Sequence, residues 1–256
     1  MPPEPRIPDE ILTYGFPAAE NPFTELFASV RWEDVGKGRR GAVLTKSDEA
    51  GGVPLVRTTT RYRNPAQRFG TVHERLARQV QEHAALPVAF NNALIECYTS
   101  AYTTMGSHSD QALDLADGSF IAVFSCYERP EVGLPRQLII ESKGSGGERY
   151  EIPLAHNTVV AFSLDTNRRF RHKIVWDGSA RAADNQWLGV TFRTSKTLVR
   201  FDDGQVQLPQ GARLVVADEE QRREFYRLRR RENEETDFVY PPLTYTVSES
   251  DLLPPL

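Results

Sequence analysis

The 256-residue chain lacks the features of a membrane, secreted or disulfide-stabilised protein. No apolar run approaches the ~18 residues that a membrane-spanning helix needs. The first residues show no basic stretch followed by an apolar one, so the sequence does not indicate a secretion signal. The two cysteines, Cys97 and Cys126, lie in predicted core strands and are expected to be reduced thiols. We therefore expect an intracellular protein, cytoplasmic or nuclear, with no membrane partner.

The chain also lacks an excess of basic residues. Its 31 Lys and Arg against 35 Asp and Glu give a net charge of −4. This balance weighs against non-specific nucleic-acid binding, although a local basic patch can act within an acidic protein. A hydrophobic content of 39% with 26% charged residues is ordinary for a globular protein, and the length suits a single core. We expect one domain with extensions.

Three segments of the sequence have the pattern of helices. In residues 21–32, Asn21 suits an N-cap and Pro22 suits the first helical position. Residues 71–85 repeat apolar side chains at helical spacing, as expected for an amphipathic helix that covers a sheet. Residues 218–232 begin with acidic and end with basic side chains, which complements the helix dipole. Loops or extended segments are predicted for residues 1–20, 36–52, 165–169 and 240–256.

The remaining pattern predicts strands. Residues 55–62, LVRTTTRY, alternate and contain β-branched side chains, which is typical of a strand. Short strands separated by Gly-rich turns favour a β-sandwich, jelly roll or barrel. The sequence thus predicts an α+β, mainly β fold with a helical layer towards its N-terminus. Further strands are predicted at residues 92–98, 120–128, 136–141, 149–152, 158–163, 172–175 and 187–194.

Of the five histidines, His73 and His83 lie in the predicted amphipathic helix and fit a packing or surface role. His108 and Asp110 are two residues apart, so along an extended chain their side chains share one face and can bind one metal ion. The third ligand is His156 or His172. We favour His172 because it begins a strand after a polar loop, whereas a histidine at position 156 can simply complete a turn.

Two histidines and one carboxylate form the facial triad of non-haem iron oxygenases, which leaves metal positions open for a co-substrate and O2. The co-substrate 2-oxoglutarate needs a cation for its distal carboxylate, and an arginine offers a bidentate fork. Arg193 lies on the strand that follows the third ligand, and the phenol of Tyr98 precedes His108 by ten residues. The alternative for Arg193 is a surface arginine on a strand, and the alternative for Tyr98 is an aromatic side chain of the core.

These segments resemble the AlkB-like branch of the 2-oxoglutarate/Fe(II) dioxygenases, over residues 91–196. The resemblance implies a double-stranded β-helix (jelly-roll) core, with His108, Asp110 and His172 on iron and with Tyr98 and Arg193 on 2-oxoglutarate. His156 matches a family histidine that is not a metal ligand. The segments that carry the resemblance are LIECY at 94–98, HSD at 108–110, FIAVFS at 120–125, LAHNTVVAF at 154–162, FRH at 170–172 and VTFR at 190–193.

The chain departs from the AlkB-like pattern at three positions. Glu96 stands where that pattern has Asn, and Trp187 and Gly189 replace the Arg and Asn of R-x-N-x-T-x-R. The co-substrate carboxylate is therefore expected to be held by Arg193 alone or by a loop arginine. Arg193-Thr-Ser195 also resembles the R-x-S anchor of small-molecule hydroxylases, which makes Ser195 a candidate contact. The loop candidates are Arg168, Arg169, Arg171 and Arg181.

The resemblance implies a division of this single domain into three parts. Residues 1–90 form covering helices and a substrate lid, residues 91–200 the catalytic core, and residues 201–256 a helical extension. In the lid region, Arg57, Arg61 and Tyr62 are candidates for substrate binding, because a basic, hydroxyl-rich strand can grip phosphates. It can equally bind an acidic small molecule, or be a solvated edge strand protected by charge.

Three functions remain open from the sequence. The first is an AlkB-like dioxygenase that uses Fe(II), 2-oxoglutarate and O2 to hydroxylate or oxidatively demethylate a modified nucleobase or nucleic acid, releasing succinate and CO2. The second is a small-molecule hydroxylase on the same fold, acting on a natural product or an amino-acid-like compound. The third is a non-enzymatic, cupin-like binding protein whose histidines are structural.

Overall fold

A computed structural model of the protein describes residues 10–16, 20–144, 147–176 and 185–256. In these residues the chain is mostly β, with four α-helices: α1 Phe23–Ala28, α2 Thr71–His83, α3 Leu164–Arg169 and α4 Glu219–Glu234. None of the described helices has the length and apolar character needed to cross a membrane. The strands are β1 Ile11–Gly15, β2 Glu33–Gly36, β3 Arg39–Thr45, β4 Val53–Pro54, β5 Gln67–Arg68, β6 Asn92–Tyr98, β7 Phe120–Tyr127, β8 Arg136–Ser142, β9 Arg149–Leu154, β10 Thr158–Ser163, β11 Phe170–Val175, β12 Trp187–Arg193, β13 Leu198–Asp202, β14 Gln205–Gln207, β15 Arg213–Val216 and β16 Tyr245–Thr246.

The strands form three sheets. The major sheet has the order β1-β10-β7-β12-β6-β3-β2 with antiparallel pairing, and β5 joins β3 in parallel. A second antiparallel sheet has the order β11-β8-β9. A third, β16-β15-β14-β13-β4, is built largely from the C-terminal part of the chain. This arrangement of mainly antiparallel sheets is consistent with the predicted jelly-roll fold.

The two faces of the major sheet are buried in different ways, because successive side chains of a strand point to opposite sides. On one face, Ile95 and Phe124 belong to a cluster with Val72, Leu76 and Val80 of α2. The opposite face packs against the second sheet. That cluster combines Tyr98, Ile121 and Trp187 with Leu138, Ile140 and Ile174.

Most of the predicted elements are confirmed. β6 and β10 begin and end at the predicted residues, and the other predicted core strands differ by at most two residues at either end. The amphipathic helix is α2, and the C-terminal helix is α4, whose N-cap Asp218 accepts a hydrogen bond from the Gln221 backbone. The first helix is shorter than predicted: Pro22 is its N-cap residue, and the Asn21 side chain accepts from the Phe23 backbone N–H at 3.0 Å.

The prediction of a strand at residues 55–62 is wrong. The nearby strand β4 consists of Val53–Pro54 and ends before this segment, which is a loop. Backbone groups of the loop instead bond to separate partners. The Arg57 N–H donates to a carboxylate oxygen of Asp114 at 2.8 Å, and the Tyr62 N–H donates to the Ser248 hydroxyl at 3.1 Å. The threonines and arginines of this segment have the sequence pattern of a strand. Its backbone N–H groups, however, bond to side chains far along the chain and not to a neighbouring strand.

Three segments predicted as loops contain regular structure. Residues 36–52 include β3, whose Ala42 and Leu44 are buried and which pairs with both β2 and β6. Residues 1–20 include β1, which pairs with β10. Residues 165–169 fall in α3, which is capped by the Ser163 hydroxyl. The two strands form because they pair with sheet partners far along the chain, and the helix forms with a local N-cap.

Leu44→Ala tests whether β3 is part of the core. Leu44 is fully buried between the major sheet and α2. We expect the substitution to lower the free energy of unfolding by about 2–5 kcal/mol, because it removes buried methyl groups and leaves a cavity. Urea denaturation measures the loss. Val239→Ala, at a residue that is 82% exposed, is the control, and equal stability of the two variants would contradict the packing.

Candidate active site

A cavity of about 390 Å³ lies between the major sheet and the second sheet. Its floor comes from the face of the major sheet that α2 does not cover, and its sides come from loops and from α4. It combines cations, carboxylates and hydroxyls with apolar side chains. Its residues include Glu96, Thr191 and Arg193 from the major sheet, His172 and Ile174 from the second, Thr58, Thr59 and Thr60 from the 55–62 loop, His108, Asp110 and Gln111, and Arg229 and Asn233 from α4.

His108, Asp110 and His172 meet on one side of this cavity. The backbones of the two histidines form a bridge, in which each N–H donates to the other carbonyl at 2.9 and 2.6 Å. One Asp110 carboxylate oxygen, Oδ1, lies 3.8 Å from His108 Nε2 and 3.5 Å from His172 Nε2. One ligand atom from each residue falls within 4.8 Å of the others. The structure therefore brings the three predicted metal ligands together.

The chemistry of this donor set fits a divalent iron ion. Metal–ligand bonds of about 2.1 Å place two ligands of one ion at most ~4.2 Å apart, and both distances from Asp110 lie within that span. His108 Nδ1 is 2.8 Å from the Gly106 carbonyl, so a proton on Nδ1 leaves Nε2 free to bind the metal. Burial and the neighbouring His172 lower the pKa of His108 to about 3, which keeps its imidazole neutral.

Arg193 occupies the other side of the Asp110 carboxylate. Its Nε donates to Oδ2 at 2.6 Å, while Oδ1 faces the two histidines. Burial alone would raise the pKa of Asp110, but the Arg193 guanidinium and the nearby His172 outweigh it and hold that pKa well below its usual range. Asp110 is therefore an anion, and one oxygen is available to a metal while the other stays bonded to arginine.

Helix α3 fixes the backbone of Asp110. The Asn167 side chain accepts from the Asp110 N–H at 2.7 Å and donates to its carbonyl at 2.8 Å. The Ser109 hydroxyl donates to the Phe170 carbonyl at 2.9 Å, which joins the same segment to β11. The backbone that carries the Asp110 carboxylate is thus held by buried hydrogen bonds to α3 and to β11.

The family model for the 2OG-Fe(II) oxygenase superfamily matches residues 42–193, which is more than half of the chain. The chain belongs to the 2OG-Fe(II) oxygenase superfamily. As a member it is a dioxygenase that uses Fe(II), 2-oxoglutarate and O2.

One solved structure similar to this oxygenase is that of OsALKBH1. The two are 14% identical with a TM-score of 0.41, over 64% of this chain and 83% of the other. No curated protein matched the sequence.

The other histidines of the oxygenase lie apart from the cluster. His156 Nδ1 accepts a hydrogen bond from the Tyr127 backbone at 3.1 Å, so it bonds to the end of β7 and not within its own turn. His73 Nε2 is 2.8 Å from the Ser29 hydroxyl, and His83 stacks on Tyr14. These contacts support packing roles for all three.

Tyr98 reaches the cavity only through Glu96. Its ring is fully buried between Trp187 and Tyr102, with ring centroids 4.7 and 4.4 Å away. Its hydroxyl donates to Glu96 at 2.8 Å, and burial followed by the Glu96 charge raises its pKa well above the usual value. Two nitrogens of Arg39 contact the other Glu96 oxygen at 2.5 Å. Glu96, the departure from the AlkB-like pattern, is thus a buried, fully partnered anion.

The two departures on β12 compensate for each other. A side chain at Gly189 would place its Cβ 2.1 Å from the Trp187 ring, so the ring covers the glycine. Trp187 is itself 2% exposed and packs on Tyr98. The Trp187 indole therefore occupies the space over Gly189 on this strand. A larger residue at position 189 would require the indole to move.

The setting of Arg57 differs from the predicted contact with substrate. Its guanidinium forms a buried ion pair with Asp114 at 2.8 Å and donates to the carbonyls of Leu243 and Tyr245. Ser195 is similarly engaged, since its hydroxyl donates to the Leu55 carbonyl at 2.6 Å, and it does not line the cavity. Both residues hold loops in place, and this geometry leaves neither of them free for substrate or co-substrate.

The other predicted binding residues have different settings. Arg61 is exposed. Tyr62 is buried, and its hydroxyl has no hydrogen-bond partner in the part of the chain that the structure describes; the hydroxyl lies over Gly41, where a Cβ would be 2.5 Å away. Of the loop arginines, Arg168 pairs with Asp117 and Asp165, Arg169 with Glu10, and Arg171 is half-buried outside the cavity wall; Arg181 lies outside the described residues. Arg193 is the predicted anchor that lies beside the triad.

Several cavity residues were not found from the sequence. Arg39 and Arg229 lie on elements far from His108 along the chain, and no local pattern connects them with it. Gln111 follows Asp110 directly and is 6% exposed, and neither polar atom of its amide is hydrogen-bonded to a residue within 10–16, 20–144, 147–176 or 185–256. A polar residue beside a predicted ligand was the available signal for Gln111. Gln111 lines the cavity, and both polar atoms of its amide are buried.

Arg57→Ala separates a structural role from a substrate-binding one. Removing one partner of a buried ion pair leaves the Asp114 charge uncompensated, so we expect the free energy of unfolding to fall by about 3–5 kcal/mol. Arg61→Ala, at an exposed neighbour, should change it by no more than about 0.5 kcal/mol. Urea denaturation compares the two. An Arg57→Ala protein as stable as the wild type would restore Arg57 as a binding residue.

Proposed function

We propose that the oxygenase binds Fe(II) through His108, Asp110 and His172 and binds 2-oxoglutarate through Arg193. In this proposal it hydroxylates a C–H bond of its substrate and releases succinate and CO2. Where that bond belongs to an N-methyl group, the product loses formaldehyde and is demethylated. The observation that carries the proposal is the convergence of three metal-ligand side chains and one buried guanidinium on a single cavity.

Fe(II), when bound, supplies the coupling between oxidative decarboxylation of 2-oxoglutarate and transfer of one O2-derived oxygen atom to the substrate. The chain's own residues hold and orient the reactants. Arg193 uses Nε on Asp110, and its two terminal nitrogens have no hydrogen-bond partner among the described residues, so they are open to a carboxylate. The neutral His108 imidazole presents a lone pair to a cation.

Architecture is also part of the proposal. We assign the major and second sheets to a double-stranded β-helix core over residues 91–200, with residues 1–90 as support and lid and residues 201–256 as an extension of the same domain. The support comes from α2 on the outer face of the major sheet and from the three threonines of the 55–62 loop in the cavity wall.

The charges that line the cavity bear on the substrate. Arg39 is paired with Glu96, and Arg229 is paired with Glu232 at 2.6 Å, so these pairs cancel. Fe(II), Asp110 and Arg193 together carry two positive charges, which the two carboxylates of 2-oxoglutarate neutralise. The loaded cavity is then without net charge. We infer that the group that enters it for reaction is uncharged and polar.

Two substrate classes fit such a group. The resemblance to AlkB-like enzymes supports a modified nucleobase, alone or in a nucleic acid. A specific observation favours the small-molecule alternative: the arginine expected to grip phosphates, Arg57, is instead buried in an ion pair. The cavity volume of about 390 Å³ is near the lower end of the ~300–1,000 Å³ typical of ligand pockets. The cupin-like binding protein is set aside by family membership.

Substitution of the three ligands tests the metal site. His108→Ala, Asp110→Ala and His172→Ala should each abolish succinate formation, because each removes one of only three protein ligands. His156→Ala is the matched control and should keep activity. Iron content and 2-oxoglutarate-dependent succinate release measure the effect, and circular dichroism checks folding. Full activity of His172→Ala with loss in His156→Ala would reassign the third ligand.

A substrate panel tests the two classes. Succinate formation is measured with methylated oligonucleotides, with the corresponding free methylated bases and with amides and amino acids. The buried ion pair of Arg57 leads us to expect stimulation by free small molecules, as it removes a phosphate contact. Formaldehyde release distinguishes demethylation from hydroxylation. Stimulation only by oligonucleotides would refute the small-molecule alternative and support the AlkB-like substrate.

A further inference from the structure

The segment that carries Asp110 leaves the sheet directly after His108. After the bridge between His108 and His172, the next bridge is that of Leu115 with Ser195, and the residues between the two bridges contain a short 3-10 helix at Ala112–Asp114. Backbone groups of Ser109, Asp110 and Ala112 therefore bond to side chains from helices. Asp110 is held by Asn167 of α3, as described above.

Helix α4 holds the residues on both sides of Asp110. The Asn233 side-chain oxygen accepts from the Ser109 N–H at 2.9 Å, and Arg229 donates to the Ser109 carbonyl. Glu232 accepts from the Ala112 N–H at 2.7 Å. Both backbone groups of the residue that precedes the metal ligand are thus bonded to one helix, which begins more than 100 residues later in the chain.

These side chains are themselves fixed. Arg229 and Glu232 are buried and form an ion pair at 2.6 Å, and the Tyr240 hydroxyl donates to the same Glu232 at 2.7 Å. Lys143, in the turn after β8, donates to the Glu232 carbonyl at 2.5 Å and to the Glu235 carbonyl at 3.1 Å. The C-terminal end of α4 is therefore tied to the second sheet as well as to the segment of Asp110.

We propose that α4 is part of the active site, with Asn233 and Arg229 as positioning residues that hold Asp110 in the geometry a metal ion requires. The inference rests on the proposed function, which makes Asp110 a metal ligand. Helix α4 lies outside the residues matched by the family model, 42–193, so this support belongs to the chain's own C-terminal extension. Both residues also line the cavity. Side chains that hydrogen-bond to a metal ligand typically change metal affinity 10–100-fold when removed, and Asn233 and Arg229 bond to the backbone of the residue next to one.

Asn233→Leu in the full-length protein tests the proposal. The leucine has a similar size but cannot accept from the Ser109 N–H. The probe is Mn(II) alone, titrated by calorimetry and by electron paramagnetic resonance. We expect a Kd for Mn(II) roughly 10–100-fold weaker than that of the wild type, with unchanged circular dichroism. Asn233→Asp retains an acceptor and should keep wild-type affinity or better.

Tyr226→Leu is the matched control, because it places a leucine at an exposed, uncharged position of the same helix. It should bind Mn(II) like the wild type. Arg229→Lys is the second variant: it keeps a charge beside Glu232 but is too short to keep the bond to Ser109, and it should weaken Mn(II) binding several-fold. It also decides the question if Asn233→Leu does not fold.

The outcomes separate this inference from the function on which it rests. Wild-type affinity for Mn(II) in both Asn233→Leu and Arg229→Lys would overturn the positioning role and leave the proposed function intact. Equal weakening in Asn233→Leu and Asn233→Asp would also overturn it, because the acceptor would then not matter. A wild-type protein that binds no Mn(II) and forms no succinate would overturn the proposed function, and the inference with it.

Discussion

The backbone bridge between His108 and His172 is the contact on which the site depends. Two hydrogen bonds, at 2.9 and 2.6 Å, place the histidines side by side although they are 64 residues apart in the chain. Strand β11 of the second sheet pairs with β8 and, through His172, also with His108. The second sheet therefore determines where both histidines lie. The major sheet then supplies Arg193 from the opposite wall. The geometry of the site therefore depends on how the two sheets pack against each other. The hydrophobic cluster that contains Tyr98 and Leu138 provides this packing.

Asp110 shows how a buried anion is stabilised before any metal binds. Its carboxylate has a guanidinium on one oxygen and two imidazoles near the other, and its backbone is held by Asn167. Without these partners, burial would favour the neutral acid, which binds a cation poorly. Glu96 is likewise partnered: it forms an ion pair with Arg39 and accepts a hydrogen bond from the Tyr98 hydroxyl. Charges in the cavity are thus arranged in pairs, and in the proposed function the terminal nitrogens of Arg193 are left to bind the co-substrate.

Much of the fold followed from local pattern. The core strands β6 and β10 are short, nearly continuous runs of buried residues, and α2 has one apolar face, so each was predictable from its own residues. Segments whose partners are remote were not. Residues 55–62 have the alternation of a strand but bond to Asp114 and Ser248, and β3 looks like a charged loop but is held by β6. Local pattern cannot reveal a partner that only folding brings near.

For the site, the sequence alone determined the residue types, because the spacing of His108 and Asp110 and the position of Arg193 on a strand are local properties. Which residues they meet is a matter of tertiary structure. Folding placed Arg57 in an ion pair with Asp114, moved Ser195 out of the cavity wall and brought Arg229 and Asn233 beside Asp110. These contacts join residues 57 to 140 positions apart, and hydrogen bonds at such separations are decided by how sheets and helices pack.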